Sequence, residues 1–174
     1  DLADIIYSIS PTETPFMSGI AKEKATNTTH QWQTDALAAV AANAAVEGAD
    51  ITYGTMSATT KEENHTQIST KGVQVSGTNE AVTSAGRANE LAYQVAKAAK
   101  ELKRDMETAL LSNVAKAAGD ATTARKLGGC QTWIETNVDA GSGGSGAGNG
   151  AIRTDGTQRA FTEDQLKGVL RSCF

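Results

Sequence analysis

The sequence has few residues that can hold a metal ion, close a disulfide or carry out acid–base chemistry. It contains two cysteines, Cys130 and Cys173, and two histidines, His30 and His65. Neither pair has the C-x-x-C or H-x-x-x-H spacing of a zinc site, and two distant cysteines give no disulfide framework. No nucleophile stands beside a histidine base in a known motif. The sequence therefore predicts a protein that has no metal or cofactor and is not an enzyme.

Large apolar residues and aromatic residues are also scarce. Leucine, isoleucine, valine and phenylalanine make up about a sixth of the chain, below the roughly 20% at which a chain struggles to build its own core. Alanine, threonine and glycine take their place, and they contribute little transfer free energy per residue. The net charge of -4 is too small for the composition of a disordered chain. We expect part of the stability to come from neighbouring molecules.

Long apolar runs and clusters of basic residues are missing as well. No run in the sequence reaches the length that spans a bilayer, which predicts that a membrane is not a partner. Acidic residues outnumber basic ones, 20 to 16, and a specific grip on DNA needs clustered lysine and arginine. The apolar pattern of the last predicted helix is unfinished at Phe174, so we expect the chain to be part of a longer protein.

Both prolines of the chain stand in one short stretch, SISPTETPF, residues 8–16. A helical apolar stripe over residues 2–9 precedes it, and Ser10 with Pro11 resembles the start of a helix. Pro15 prevents that helix from continuing, because it forces the residue before it out of the helical region. The stretch therefore predicts an extended arm with single turns. The apolar residues that another surface must cover are Phe16, Met17 and Ile20.

The middle of the chain predicts strands and a hairpin. Residues 29–35 alternate in polarity and carry Trp32, as a strand does. The alanine-rich segment 36–50 has a helix-forming composition with few large anchors. In residues 51–80, two runs rich in threonine and valine flank the polar sequence KEENHT, residues 61–66, which predicts a hairpin with its turn there. Its outer half has no apolar face, so we expect it to lie on a partner.

One long amphipathic helix is predicted over residues 84–119, with Gly119 as its end cap. At about 1.5 Å per residue it would span about 50 Å, longer than a compact domain of this size is wide. The glycine-rich segment 140–151 has the composition of a flexible loop. Thr162 and Gln165 then form a capping box that opens a final helix.

Several segments resemble, in the same order, the major capsid proteins of a family of tailed bacteriophages with the Hong Kong 97-like fold. They are DLADIIYSISPTETPFMS, HQWQTD, TQISTKGVQVSGTNEAV, GRANELAYQVAKAAKELKRDMETALL, ARKLGGCQTWIETN and FTEDQLKGVLRSCF. The resemblance implies an α+β fold in four parts. These are an N-terminal arm (1–35), an extended β-hairpin loop (48–80), the spine helix of the peripheral domain (84–119), and the start of the remaining peripheral and axial region (120–174), incomplete at its C-terminus.

The resemblance also implies a function and a set of partners. Many copies would form the hexamers and pentamers of an icosahedral head shell that encloses double-stranded DNA without binding it specifically. Scaffolding, portal or decoration proteins would be further partners, and assembly would take place in the host cytoplasm. Some relatives join subunits through a lysine of the extended loop, for which Lys61 and Lys71 are candidates. The residues expected at the subunit interface are Pro11, Pro15, Phe16, Met17, Trp32, Lys61, Glu62, Glu63, Asn64 and Lys71.

Two other classes of protein stay open at this point. A flagellin-like or surface-layer filament subunit is also rich in alanine, threonine and glycine, and it would show long pairing helices at both termini. A small hydrolase or ligand-binding enzyme would show a pocket with convergent polar groups and perturbed pKa values.

Overall fold

The chain has almost no core of its own. In the computed structural model, which describes residues 9–82, 89–146 and 148–173, no described hydrophobic residue is buried. The accessible surface is 14198 Å², whereas a compact protein of this length exposes about 8000 Å². Since both sequence and structure leave apolar side chains without cover, the subunit is an open chain.

Helices and a single two-stranded sheet follow one another in the described part of the chain, so the predicted α+β class is confirmed at this coarse level. The elements are α1 (Pro15–Gly19), β1 (Thr29–Thr34), β2 (Thr60–His65), α2 (Gly77–Ala81), α3 (Glu90–Leu111), a 3-10 turn (Cys130–Thr132) and α4 (Glu163–Ser172).

The arm contains a short helix that the sequence analysis placed wrongly. Helix α1 begins at Pro15, whereas Pro15 was expected to end helical structure. The proline occupies the first helical position, where its missing N–H is not needed. The residue before it, Thr14, is non-helical, with φ −128° and ψ 74°, as expected before a proline. The apolar stripe predicted over residues 2–9 lies, except for its last residue, outside the described residues.

The strand predicted at residues 29–35 is confirmed, but the hairpin turn predicted at residues 61–66 is wrong. Strand β1 pairs antiparallel with β2, in a register that sets Thr29 opposite His65 and Thr34 opposite Thr60. Residues 61–65 are therefore strand, and the connection between the strands is the long segment 35–59. We call β1 and β2 the ribbon and residues 35–59 the projecting loop.

The projecting loop contains no helix, although its alanine content favoured one. Helical propensity alone leaves a segment of this length marginal in water, and packing of an apolar face normally supplies the rest. Every residue from 35 to 59 is exposed, so no such packing is present.

Helix α3 is shorter than predicted. It has 22 residues, about 33 Å in length at about 1.5 Å per residue. It ends at Leu111, and Gly119 is not its cap but lies in a later turn at φ 70°. The reason lies in tertiary contacts: Asn113 donates to the carbonyl of Arg153 at 2.7 Å and accepts from its N–H at 2.8 Å. Residues 84–88 of the predicted helix lie outside the described residues.

The capping box that opens α4 is confirmed. The Thr162 hydroxyl accepts from the N–H of Gln165 at 3.4 Å, and the Gln165 side chain accepts from the N–H of Thr162 at 2.8 Å. Before α4, the glycine-rich segment 140–151 and its flanks make more hydrogen bonds than the composition of a flexible loop indicated. Ser145 and Thr154 exchange two backbone hydrogen bonds of 3.0 and 3.1 Å, and Arg159 pairs with Asp139 at 2.6 Å.

Candidate assembly surfaces

The base of the ribbon is fixed to the segment after α3 by one asparagine. The Asn64 side chain accepts a hydrogen bond from the N–H of Gly128 at 2.8 Å and donates to its carbonyl at 3.3 Å. One amide group thereby satisfies both backbone groups of a buried residue. Beside it, Arg125 Nε donates to the carbonyl of Thr66 at 2.6 Å. These bonds join positions about 60 residues apart in sequence.

Two tryptophans and a lysine complete this contact between the base of the ribbon and the segment after α3, which we call the junction. The rings of Trp32 and Trp133 lie 5.0 Å apart between centroids at 59°, within the range of favourable aromatic pairs. Lys116 Nζ donates to the carbonyl of Glu63 at 2.8 Å and lies 5.4 Å from the Trp133 ring centroid. A cation at this distance from an indole face is attracted by the ring quadrupole. The junction therefore holds both strands.

The junction can be this tight because small residues stand at its centre. Thr132 is fully buried, and its hydroxyl donates to the carbonyl of Gly129 at 2.7 Å. A Cβ on Gly129 would collide with the carbonyl oxygen of Ser112. Glycine is therefore required where the chain passes the end of α3.

In contrast to the base of the ribbon, every residue of the projecting loop is exposed. Its large apolar side chains are 79% to 105% exposed: Leu37, Val40, Val46, Ile51, Tyr53 and Met56. Its acidic residues are Asp35, Glu47 and Asp50, and it has no lysine or arginine. Exposed apolar groups at this density mark contact surfaces for other molecules.

The arm is attached to α3 through a carboxylate. Glu107 accepts hydrogen bonds from the N–H groups of Phe16 at 2.8 Å and Met17 at 2.7 Å. These are two of the unsatisfied donors at the start of α1, and the N-cap residue Thr14 makes no side-chain cap of its own. A carboxylate at a helix N-terminus is favourable on both hydrogen-bonding and electrostatic grounds.

The segment after the ribbon is held on α3 by Lys71. Its ammonium lies 3.2 Å from Glu101 and 3.1 Å from Asp105, one helical turn apart. Hydrogen bonding to Asp105 first, and then to Glu101, raises the pKa of Lys71 above its ordinary value of 10.5. The ammonium stays charged through the physiological pH range, so Lys71 holds its segment on α3 through these two ion pairs.

The structure brings together some of the residues predicted at the subunit interface and separates others. Trp32, Glu63 and Asn64 meet in the junction, Phe16 and Met17 lie on Glu107, and Lys71 lies on α3. Pro11 and Lys61 are exposed, Pro15 opens α1, and half-buried Glu62 faces Trp32 across the ribbon.

The projecting loop was not predicted as the outer part of the hairpin, and neither Glu107 nor Lys116 was predicted as a functional residue. A signal for the loop was present, because residues 36–60 combine apolar side chains with no cation. No local pattern distinguishes Glu107 from the other carboxylates of α3, because its partners lie about 90 residues away.

Nowhere in ranges 9–82, 89–146 and 148–173 do three or more metal-binding side chains gather around a common point. The same ranges contain no helix that is both long and apolar enough to cross a bilayer. Two described groups with perturbed pKa values have different partners: Lys71 contacts Glu101 and Asp105 of α3, and Asp120 accepts from the N–H groups of Thr122 and Thr123.

The subunit has a ribbon held at its base, an exposed projecting loop and an arm bound to Glu107. These are features of a structural protein that contacts other chains. The chain belongs to the SU10 major capsid protein family, whose sequence pattern matches residues 1–174. It is also 46% identical over 115 residues to the major capsid protein of Escherichia phage Phieco32, a match that covers 66% of this chain and 33% of that protein. The chain spans about a third of the length of that curated relative.

The family confirms the predicted resemblance to phage major capsid proteins and the prediction of a structural rather than enzymatic protein. It decides against the filament subunit and the small hydrolase, since neither belongs to this family.

Proposed function

We propose that this chain is part of a major capsid protein whose copies assemble into the icosahedral head shell that encloses phage DNA. The observation that carries the proposal is the match of the whole chain to a major capsid protein family. The physical form of the subunit supports it, because a chain with no buried hydrophobic residue in its described part gains stability from neighbours. Many weak contacts, each repeated in every copy, close such a shell.

The division of the chain that the proposal uses is that of the Hong Kong 97-like fold. Residues 1–35 are the arm, 48–80 the extended loop, 84–119 the region of the spine helix, and 120–174 the start of the remaining peripheral and axial region. The order of α1, the ribbon and α3 in the structure supports this division, with strand β1 in the arm range and its partner β2 in the range of the extended loop. The projecting loop adds residues 35–47 to the part that reaches over a neighbour.

In this proposal the predicted interface residues have two roles. Pro11 and Lys61 are exposed and contact neighbours directly. The residues of the junction, with Asn64 at its centre, act from within the subunit by fixing the direction in which the ribbon leaves it. A rigid base reduces the entropy that is lost when the loop docks.

The surroundings of the shell are also proposals. Hexamers and pentamers of the same chain are the main partners, with scaffolding, portal or decoration proteins as additional ones. The DNA is enclosed without sequence-specific contacts, which the excess of acidic residues supports. Assembly takes place in the host cytoplasm, and the finished protein is a component of the virion.

Expression of the full-length protein that contains this chain tests the proposal. Sedimentation velocity and negative-stain electron microscopy are expected to show closed particles a few hundred ångströms or more across, because shells and subunits differ in mass by orders of magnitude. If scaffold is required, co-expression with the neighbouring phage head genes supplies it. Regular filaments, or a stable small oligomer under both conditions, would contradict the proposal.

A further inference from the structure

One dipeptide of the glycine-rich segment is chemically labile. Asn149 and Gly150 form the only Asn-Gly pair in the sequence. Asparagine is among the thermolabile residues of proteins, because the backbone nitrogen of the next residue can attack its side-chain carboxamide. Glycine hinders this attack least, since it has no Cβ. In an unfolded chain, Asn149 is therefore the asparagine that loses ammonia most readily.

The fold requires glycine as the second member of this pair. Gly150 is buried and has φ 80°, in the left-handed region that favours glycine. A Cβ at this position would come within 2.8 Å of Cδ of Lys116 and of Cζ2 of Trp133. A larger residue would slow the attack on Asn149, but it would also displace the side chains of the junction.

The same packing masks the nitrogen that must attack. The N–H of Gly150 donates to the carbonyl of Thr132 at 3.2 Å, and the Gly150 carbonyl accepts from the N–H of Lys116 at 2.9 Å. The exposed Asn149 side chain accepts through Oδ1 from the N–H of Ala151 at 3.1 Å, which keeps the carboxamide beside the backbone of its own turn. The carboxamide is thus open to water, whereas the attacking nitrogen is buried and hydrogen-bonded.

We propose that Asn149 is a site of spontaneous deamidation that the folded junction suppresses and that local opening of the junction exposes. Once the Gly150 N–H is free, a base removes its proton and the nitrogen attacks Cγ of Asn149. The bond from Cγ to the amide nitrogen breaks, ammonia leaves with a proton from the solvent, and a cyclic succinimide remains. Water then opens the ring, so that each conversion consumes one water and releases one ammonia. Cleavage at Cγ gives aspartate, and cleavage at the main-chain carbonyl gives isoaspartate, in which the backbone runs through the side chain.

Conversion weakens the contact that prevents it. Both products carry a new carboxylate next to Gly148, against which the carboxylate of Glu135 lies, and like charges at close range repel. Isoaspartate also adds one carbon to the main chain before Gly150, whose N–H and carbonyl are both bound to distant segments. We therefore expect converted subunits to have a looser ribbon base.

Peptide mapping of the unassembled full-length protein tests the proposal. Trypsin releases residues 127–153 as one peptide, which contains both Asn149 and Asn137. Samples are incubated at mildly alkaline pH in native buffer and in guanidinium chloride, digested briefly, and compared by mass spectrometry with a sample taken at time zero. We expect conversion at Asn149 to be at least about tenfold slower in native buffer, because it must await local opening of the junction.

Two kinds of control accompany this comparison. Asn137 is the internal control, because the branched side chain of Val138 hinders attack on it. Asn149→Gln is expected to lose the conversion, since ring closure from a side chain one carbon longer is slower. Gly129→Ala, which disturbs the junction, is expected to convert faster than the parent protein in native buffer, whereas Gly72→Ala should convert at the parent's rate.

The outcomes separate a suppressed site from an open or inert one. Equal rates at Asn149 in native buffer and in denaturant would overturn the proposal, because the junction would then give no protection. Conversion in denaturant that is no faster at Asn149 than at Asn137, or that persists in Asn149→Gln, would also overturn it, because Asn149 would not be the labile residue. The readout needs no assembled shell, so its result is independent of the proposed function.

Discussion

At the scale of single residues, this chain uses small and polar side chains where larger proteins use buried apolar ones. Asn64 joins the ribbon to Gly128 through two hydrogen bonds, and the fully buried Thr132 bonds the carbonyl of Gly129. Each such bond stabilises by only about 0.5–1.5 kcal/mol, but a lost partner inside the junction costs more than that. The junction is therefore sensitive to single substitutions.

Gly129→Ala is expected to destabilise the subunit by at least about 3 kcal/mol, because the new Cβ would overlap the carbonyl oxygen of Ser112. Urea unfolding of unassembled full-length protein measures the change. Gly72→Ala is the matched control, because nothing lies within 4 Å of its Cβ position. Equal midpoints for the two variants would show that the tight passage beside α3 is not required.

Asp120 gives the subunit an acid-dependent component of stability. Hydrogen bonds from the N–H of Thr122, then from its hydroxyl, and then from the N–H of Thr123, lower the pKa of Asp120 from 3.8 to about 2. Because the pKa is lowered on folding, the contribution is present above pH 3.8 and is lost as the pH falls through about 2.

Asp120→Asn is therefore expected to weaken the pH dependence of unfolding between pH 4 and pH 2 relative to the parent protein. Urea midpoints measured at several pH values in this window provide the comparison. Identical slopes for the parent and Asp120→Asn would contradict the assigned hydrogen bonds.

At the scale of elements, α3 is the surface on which other segments are held. Its Glu107 accepts hydrogen bonds from the N-terminus of α1, and its Glu101 and Asp105 form ion pairs with Lys71. The helix is amphipathic, yet Leu91, Val95 and Met106 remain 38% to 52% exposed. The two hydrogen bonds to Glu107 are polar contacts that hold the arm on this helix.

Glu107→Gln is expected to loosen the arm, because one of two accepting oxygens and the negative charge are lost. Hydrogen exchange at the amides of Phe16 and Met17 should accelerate about tenfold, as expected when a charge-assisted hydrogen bond is removed. Asp105→Asn removes the same charge from α3 without touching the arm and serves as the control. Unchanged exchange in Glu107→Gln would mean that the arm is held by other contacts.

At the scale of the whole molecule, the accessible surface of 14198 Å² is the main feature. It lies well above the roughly 8000 Å² of a compact protein of this length. Most residues from 9 to 28 and every residue of the projecting loop are exposed. Under the proposed function, assembly supplies the apolar burial that a single copy does not have.

A glutamate-specific protease is expected to cut unassembled subunits rapidly after Glu47 and to cut assembled particles at least about tenfold more slowly there, because the loop is covered. Glu62 and Glu63 lie in β2 and provide internal controls that should be cut slowly in both states. Mass spectrometry of the fragments over time gives both rates. Equal rates at Glu47 in subunits and particles would show that the projecting loop stays uncovered.

The sequence by itself determined the features that depend on neighbours within a few positions. The capping box of Thr162 and Gln165, the non-helical conformation of Thr14 before a proline and the strand around Trp32 follow from local hydrogen bonding and sterics. The scarcity of large apolar residues likewise predicted a weak core, and no hydrophobic side chain is buried in the described part of the subunit. The order of its segments indicated the capsid family.

Only the tertiary structure decided which distant segments meet. Strand β1 pairs with β2, from which the 25 residues 35–59 separate it. Just after α3 ends, the Asn113 side chain forms hydrogen bonds with the backbone of Arg153. Glu107 accepts hydrogen bonds from the arm, which lies about 90 residues away in the sequence. Such contacts depend on chain geometry and on competition between similar side chains, neither of which a local pattern records. For the same reason, the polar sequence KEENHT resembles a turn when read alone and forms a strand when Trp32 and its neighbours lie beside it.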